Sequence, residues 1–281
     1  MKLHTYSLSV YLVCLLIGIG VVVAASSPQN NHRSSPEEQF IQSIKEGGLL
    51  HSLRYLKPLR INPNAIVDHE TQTTVLMMTI GMHQDILASY LLEAGADANM
   101  IDATGQSALH QIAERHPHDT SVAIAKELIQ HNGDWTLRDT YGNTPLHTAT
   151  LFMNDELFYY FADLAHADIN VLRTVFHTVN DDGMTLLHLA ALSEPHADQD
   201  PELVSCFVRM LMIEYHLNAN TRDGHGKTAV EYASESLAKV IQEVVHQQER
   251  LWNWEREMVG GGGNVPSRRQ RLRNMLRCYR A

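Results

Sequence analysis

Apolar residues along this chain fall in short blocks at helical spacing, and the blocks come in pairs. Phe40, Ile41 and Ile44 share one face of a predicted helix, Gly47 and Gly48 break it, and Leu49, Leu50, Leu53 and Leu56 resume the pattern. Gln39, Gln42 and Lys45 fall on the opposite, water-facing side. Near the other end Leu237, Val240, Ile241, Val244, Leu251 and Trp252 keep this spacing across a predicted helix over about residues 237–258, which the glycines at 260–263 end. That helix has no successor to cover its far side, as suits a terminal cap.

Between the pairs one phrase is written several times. DTYGNTPLHTA (139–149) has near-copies in DATGQSALHQI (102–112), NDDGMTLLHLA (180–190) and DGHGKTAVEYA (223–233). Its chemistry is that of a turn feeding a helix. Asp139 and Gly142 supply the turn, Thr144 is a good N-cap, and Pro145 takes the first helical position, where its missing N–H costs nothing. Leu146 and Ala149 then share one face, and His147 falls where it can bond the neighbouring unit's turn.

T-P-L-H-x-A at Thr144, Pro145, Leu146, His147 and Ala149 resembles the signature of the ankyrin-repeat family, whose period is about 33 residues. The resemblance implies an all-α solenoid of about six helix-pair units with finger turns, the terminal units degenerate, over residues 37–259. It is uneven. Thr74, Val75, Leu76 and Met77 hold the T-P-L-H positions without the Pro or the His, whereas YLLEAGADANMID (90–102) is close to the family's outer helix and exit turn, Gly95 ending the helix and Asn99 bridging onward. Gly105, Gly142, Gly183 and Gly226 mark successive turns 37, 41 and 43 residues apart. Each spacing exceeds the family period, so each unit carries an insertion: HPHDTS (116–121) and SEPHADQDPE (193–202) between helices, and VLRTVFHTV (171–179), expected to lengthen the finger leading to Gly183.

Composition adds compartment and partner chemistry. Of three cysteines, Cys14 lies in the N-terminal apolar run, leaving Cys206 and Cys278, so a disulfide framework is excluded; Cys206, in LVSCFVRML, reads as a buried small hydrophobe. Lys2 precedes an apolar run over residues 10–25, followed by Ser26, Ser27 and Pro28, with Val23 and Ala25 at the small-residue positions of a cleavage site. Residues 1–25 therefore read as a signal peptide, the alternative being an uncleaved anchor, with the body outside the cytoplasm in either case. Residues 26–36 read as a polar linker.

The whole chain carries a formal net charge of −10, yet residues 26–266 sum to −17 and the tail SRRQRLRNMLRCYRA holds six arginines and no acid. Residues 260–281 read as a glycine linker and basic tail. There Leu272, Met275, Leu276 and Tyr279 would line one face of a short helix, with Arg268, Arg269, Arg273, Arg277 and Arg280 around it. Peripheral contact with an anionic membrane, nucleic-acid contact, and a tail that is solvated or laid back on the acidic stack are its three readings. The acidic body argues against nucleic acid.

No catalytic signature, phosphate loop or H-E-x-x-H stands in the chain, so no enzyme activity, cofactor or metal is assigned. His110, His147 and His188 recur one unit apart, too far to share an ion, and read as scaffold. His116 with His118, and the acids of 193–202, lack further ligands or the calcium-loop spacing. The ankyrin resemblance implies protein binding through finger tips at Met100, Thr104, Arg138, Tyr141, Asp182, Arg222 and His225, and through inner-helix positions Gln111, Arg115, Thr148, Phe152 and Leu189. Tyr141, Arg138, Phe152 and Arg115 are the expected anchors, because aromatic and Arg side chains dominate interface energetics. A basic protein partner suits the acidic body; oligomeric state is left open.

Overall fold

The computed structural model describes residues 36–46, 62–115, 119–166, 174–193 and 201–260. It opens on α1 (Pro36–Lys45), whose Phe40 and Ile44 are fully buried. A short antiparallel hairpin, β1 (Ile66–Asp68) with β2 (Thr73–Thr74), then leads into α2 (Val75–Gly81) and α3 (Asp85–Glu93). The same order recurs as α4 (Ala108–Ala113) and α5 (Asp119–Gln130), α6 (Pro145–Leu151) and α7 (Asp155–His166), and α8 (Leu186–Ser193) and α9 (Pro201–Ile213). Last come a 3-10 turn (Ala229–Glu231) and the long α10 (Glu235–Gly260).

These helices pack in two rows. The inner row runs α2, α4, α6, α8 and the 3-10 turn, each against the next; in the outer row α3 packs on α5, α5 on α7, and α9 on α10. Helix spacing supplies the reason. Leu76, Leu109, Leu146 and Leu187 occupy the same place in successive inner helices and are at most 2% exposed, so each layer shields the apolar face of its neighbour. None of these short inner helices would persist alone, because two turns of helix return too few hydrogen bonds to offset nucleation.

Each inner helix starts on a cap built from its own sequence. The N–H groups of Ser107, Thr144 and Thr185 donate to Nδ1 of His110, His147 and His188 at 3.1, 3.3 and 3.2 Å. Histidine thus plays the reciprocal part that Glu or Gln takes in an ordinary capping box. In the last layer Glu231 takes that part itself, accepting from Thr228 N at 2.7 Å.

Two expectations are corrected. The 171–179 insertion does not simply lengthen a turn: residues 174–177 form a helical turn whose Val175 and Phe176 are buried. Phe176 stacks on Tyr215 (centroids 4.0 Å, interplanar 2°) and meets Phe158 edge-on at 5.6 Å, so two adjacent apolar side chains pull this segment into the layer joining α7 to α9. Phe158 also meets Phe207 edge-on at 4.7 Å. Cys206 is exposed rather than buried, because Val204, Phe207, Val208 and Leu211 take the core-facing phase of α9 and leave position 206 outside it. The second half of the first predicted pair (49–56), the 116–118 part of the first insertion, the 194–200 part of the third, and the leader, linker and basic tail lie outside the described residues.

Candidate functional site

Successive turns are tied into one edge. Ala103 N donates to Thr71 O (2.8 Å), Thr140 N to Thr104 O (2.9 Å), Asp181 N to Tyr141 O (3.0 Å) and Gly224 N to Asp182 O (2.6 Å). Inside each turn an Asp or Asn side chain holds its own loop: Asp139 Oδ1 accepts from Tyr141 N at 2.9 Å and Asn143 N at 2.8 Å, and Asp102, Asn180 and Asp223 act alike. The turn glycines all have positive φ, +76° at Gly105, +74° at Gly142, +73° at Gly183 and +77° at Gly226. At the first three a Cβ would strike the next turn; at Gly226 it would meet nothing.

Behind the turns the histidine row makes a second set of ties. Nε2 of His110 faces Asn143 O (3.1 Å), that of His147 faces Thr178 O (3.1 Å), and that of His188 faces Lys227 O (3.2 Å). A carbonyl can only accept, so each Nε2 carries the proton and each Nδ1 is left to accept from the cap, which makes these rings neutral. Burial pushes the His147 imidazole down to about 4 and lowers that of His110. Among the described residues no three His, Cys, Asp or Glu side chains converge to hold a metal.

One carboxyl behaves in the opposite sense. Glu114, at the end of α4, is partly buried, and that burial raises its pKa to about 7 against the lowering effect of a 2.5 Å bond from Gln106 Nε2; Asp102 and Asp139 nearby push it further up. A folded-state pKa above the unfolded value means that stability is greatest below about 4.5 and is lost as pH rises through 7. His147 works the other way, its contribution being present above 6.5 and lost as pH falls through about 4. Glu114→Gln is therefore expected to gain on the wild type by roughly 1–2 kcal/mol between pH 4.5 and 7.5. Urea melts of both proteins across that range check it; parallel curves would contradict the assignment.

The twelve residues predicted for partner contact divide by placement. Thr104, Arg138, Tyr141, Asp182, Arg222 and His225 are exposed along the turn edge, with Tyr141 at 52%, and Met100, Gln111 and Phe152 are half-buried. Arg115, Thr148 and Leu189 are buried, at 7%, 5% and 4% exposure. Arg115, expected as an anchor, instead crosses to the preceding layer and pairs with Asp85 at 2.9 Å, since its place at the end of α4 faces the start of α3. Arg138 is exposed and already engaged, with Nη2 donating to Val179 O and to Asp181, each at 3.0 Å.

Sequence reasoning missed Ile101 and Val179, 53% and 38% exposed on the same edge. Both stand four residues before a turn glycine, as Arg138 and Arg222 do, so the position was readable even though the emergence of apolar groups there was not. The edge thus presents Ile101, Arg138, Val179 and Arg222 in one row and Thr104, Tyr141, Asp182 and His225 in another, on backbone held by its own hydrogen bonds. Such a surface can bind with little ordering cost.

Residues 76–173 match the family described as ankyrin repeats, in three copies. The chain contains ankyrin repeats. Over 89 residues it is 36% identical to NF-kappa-B inhibitor delta from Mus musculus, an alignment covering 32% of this chain and 26% of that protein. Over 77 residues it is 35% identical to inversin from Gallus gallus, covering 27% of this chain and 7% of inversin. The chain thus spans about a quarter or less of the length of these curated relatives. Among solved structures it is similar to EF0377, an ankyrin repeat protein, with a TM-score of 0.60 and 18% identity over 75% of this chain and 98% of that one, a likeness of fold.

Proposed function

We propose that this ankyrin-repeat chain is an exported, non-enzymatic scaffold of about six helix-pair units with finger turns, binding a basic protein partner along its turn edge and the adjoining inner-helix surface. The observation that carries this reading is the ladder of turn-to-turn backbone bonds, which holds Ile101, Tyr141 and Val179 exposed beside Arg138, Asp182 and Arg222. Tyr141 is the central anchor, with Phe152, at the far end of α6, as a second one on the inner-helix side. The acidic body supplies long-range attraction for a basic partner. Ankyrin repeats generally mediate protein–protein contact, and the mouse relative is by its name an inhibitor of NF-kappa-B.

The test is affinity purification with the repeat stack as bait, followed by titration of the captured partner. Tyr141→Ala combined with Ile101→Ala is expected to weaken binding at least tenfold, about 1.4 kcal/mol, with the melting curve unchanged because both side chains face solvent. Undiminished binding by that double variant would move the site off the turn edge. Mass spectrometry of the exported product tests the leader: a mature chain beginning at Ser26 is the expected result.

A further inference from the structure

Among the described residues, the last layer leaves uncovered a face that every earlier layer has covered. Val230 occupies the place of Leu109, Leu146 and Leu187, two residues after the cap, yet it is only half-buried where they are fully buried. Asn220 occupies the place of Asn99, whose side chain accepts from Asp134 N (2.7 Å) and donates to Asn132 O (2.8 Å) of the following layer. Glu231 stands where the histidines stand, and rather than reaching onward it bonds back to Thr228. Between this face and α10 lies a groove of about 310 Å³ lined by Ala219, Asn220, Thr228, Val230, Gln242, Val245 and His246. Between this layer and residue 281 the turn phrase is not written again.

We propose that the basic C-terminal segment, residues 267–281, is the occupant, and that it caps the stack by laying Leu272, Met275, Leu276 and Tyr279 over Val230 and Val245. Those four residues have the i, i+3, i+4, i+7 spacing of a single helical stripe. The tether is long enough. Val245 lies about 22 Å before the end of α10 at Gly260, and residues 261–267, mostly glycine at the start, span up to about 24 Å, so the segment can return to the level of the groove. Its six arginines suit a body of net charge −17 over residues 26–266, although the exposed carboxylates nearest the groove, Glu231, Glu235 and Glu249, already face Arg222, Lys239 and His246. Tethering also holds the segment at millimolar effective concentration, ahead of a second copy, whose head-to-tail stacking would make open chains.

The test uses the full chain with Cys14→Ser, Cys206→Ser and Gln242→Cys, so that Cys278 in the tail is the other thiol. Mild oxidation is expected to give an intramolecular disulfide whose yield is independent of concentration and at least fivefold above that of a Glu156→Cys control on α7. Hydrogen exchange supplies a readout that needs no new thiol: a chain ending at Gly263, and a full chain with Leu272→Asp and Tyr279→Asp, are both expected to exchange at least fivefold faster over residues 240–248. Equal exchange in all three chains, or disulfides formed only between copies, overturns the proposal. So does binding of the tail to phosphatidylserine vesicles with no change in exchange at the groove in their absence.

Discussion

Gly183→Ala is expected to lower stability by roughly 3 kcal/mol, while the same change at Gly226 costs only about 1 kcal/mol. Both glycines have φ near +75°, +73° and +77°, so the strain of placing an L side chain in the left-handed region is shared. The surroundings differ. At Gly183 the new Cβ would lie 2.8 Å from the backbone nitrogen of Gly224, the donor of the bond to Asp182 O that ties the last two turns together. Backbone on both sides leaves nothing to rotate away, so the turns must separate and the bond is lost. At Gly226 no atom lies within 4 Å of the added carbon. Urea melts of the two variants under one set of conditions give the comparison directly. Equal losses would mean that the turn-to-turn ladder contributes nothing beyond local backbone strain.

Phe158→Ala should cost about 3–5 kcal/mol, as large-to-small changes of fully buried aromatics do. Its ring meets Phe176 at 5.6 Å, Phe207 at 4.7 Å and Tyr215 at 5.9 Å, all edge-on, where the insertion before the Gly183 turn enters the outer row. Phe158 thus joins three segments that are far apart in sequence, and truncation leaves a void bounded by rings on several sides. In a linear stack each layer touches only its neighbours, so the loss is expected to be non-uniform. Hydrogen exchange should rise most in α7 and α9 and least in α2 and α3. Uniform acceleration across the chain would show that the stack melts as one cooperative unit.

The two pH-sensitive groups follow from the same architecture. His147 is driven down because it is sealed between layers as a neutral double-ended hydrogen-bonding link, and Glu114 is driven up because burial at the end of an inner helix disfavours its charge, with the turn carboxylates Asp102 and Asp139 adding to the effect. Between pH 4.5 and 6.5 their effects on stability oppose each other. Removing Glu114 is therefore expected to make stability rise more steeply with pH across that range than it does in the wild type.

Most of the layer chemistry was legible in the residues. Cap, turn acid, turn glycine and histidine recur at short separations within one phrase, and these depend on local backbone geometry that a few adjacent residues determine. The helix after Gly226 was read at 237–258 and is found as Glu235–Gly260, since a long apolar stripe ended by glycines has few alternatives. Less legible were the surface residues. Arg115 looks like any other inner-helix polar position until the preceding layer brings Asp85 to its guanidinium, and Thr148 and Leu189 are buried as well.

From its sequence alone this protein is a series of turn–helix–helix units, because each unit's cap, turn and apolar spacing are written within some forty residues. Only the tertiary structure decided which side chains remain available: that Phe176 is drawn into the outer layer, that Cys206 and Ile101 reach solvent, and that among the described residues the final face is left uncovered. The reason is that burial between layers depends on the phase of one unit against the next, and that phase is set by contacts between residues about 30 to 43 positions apart, which no local pattern contains.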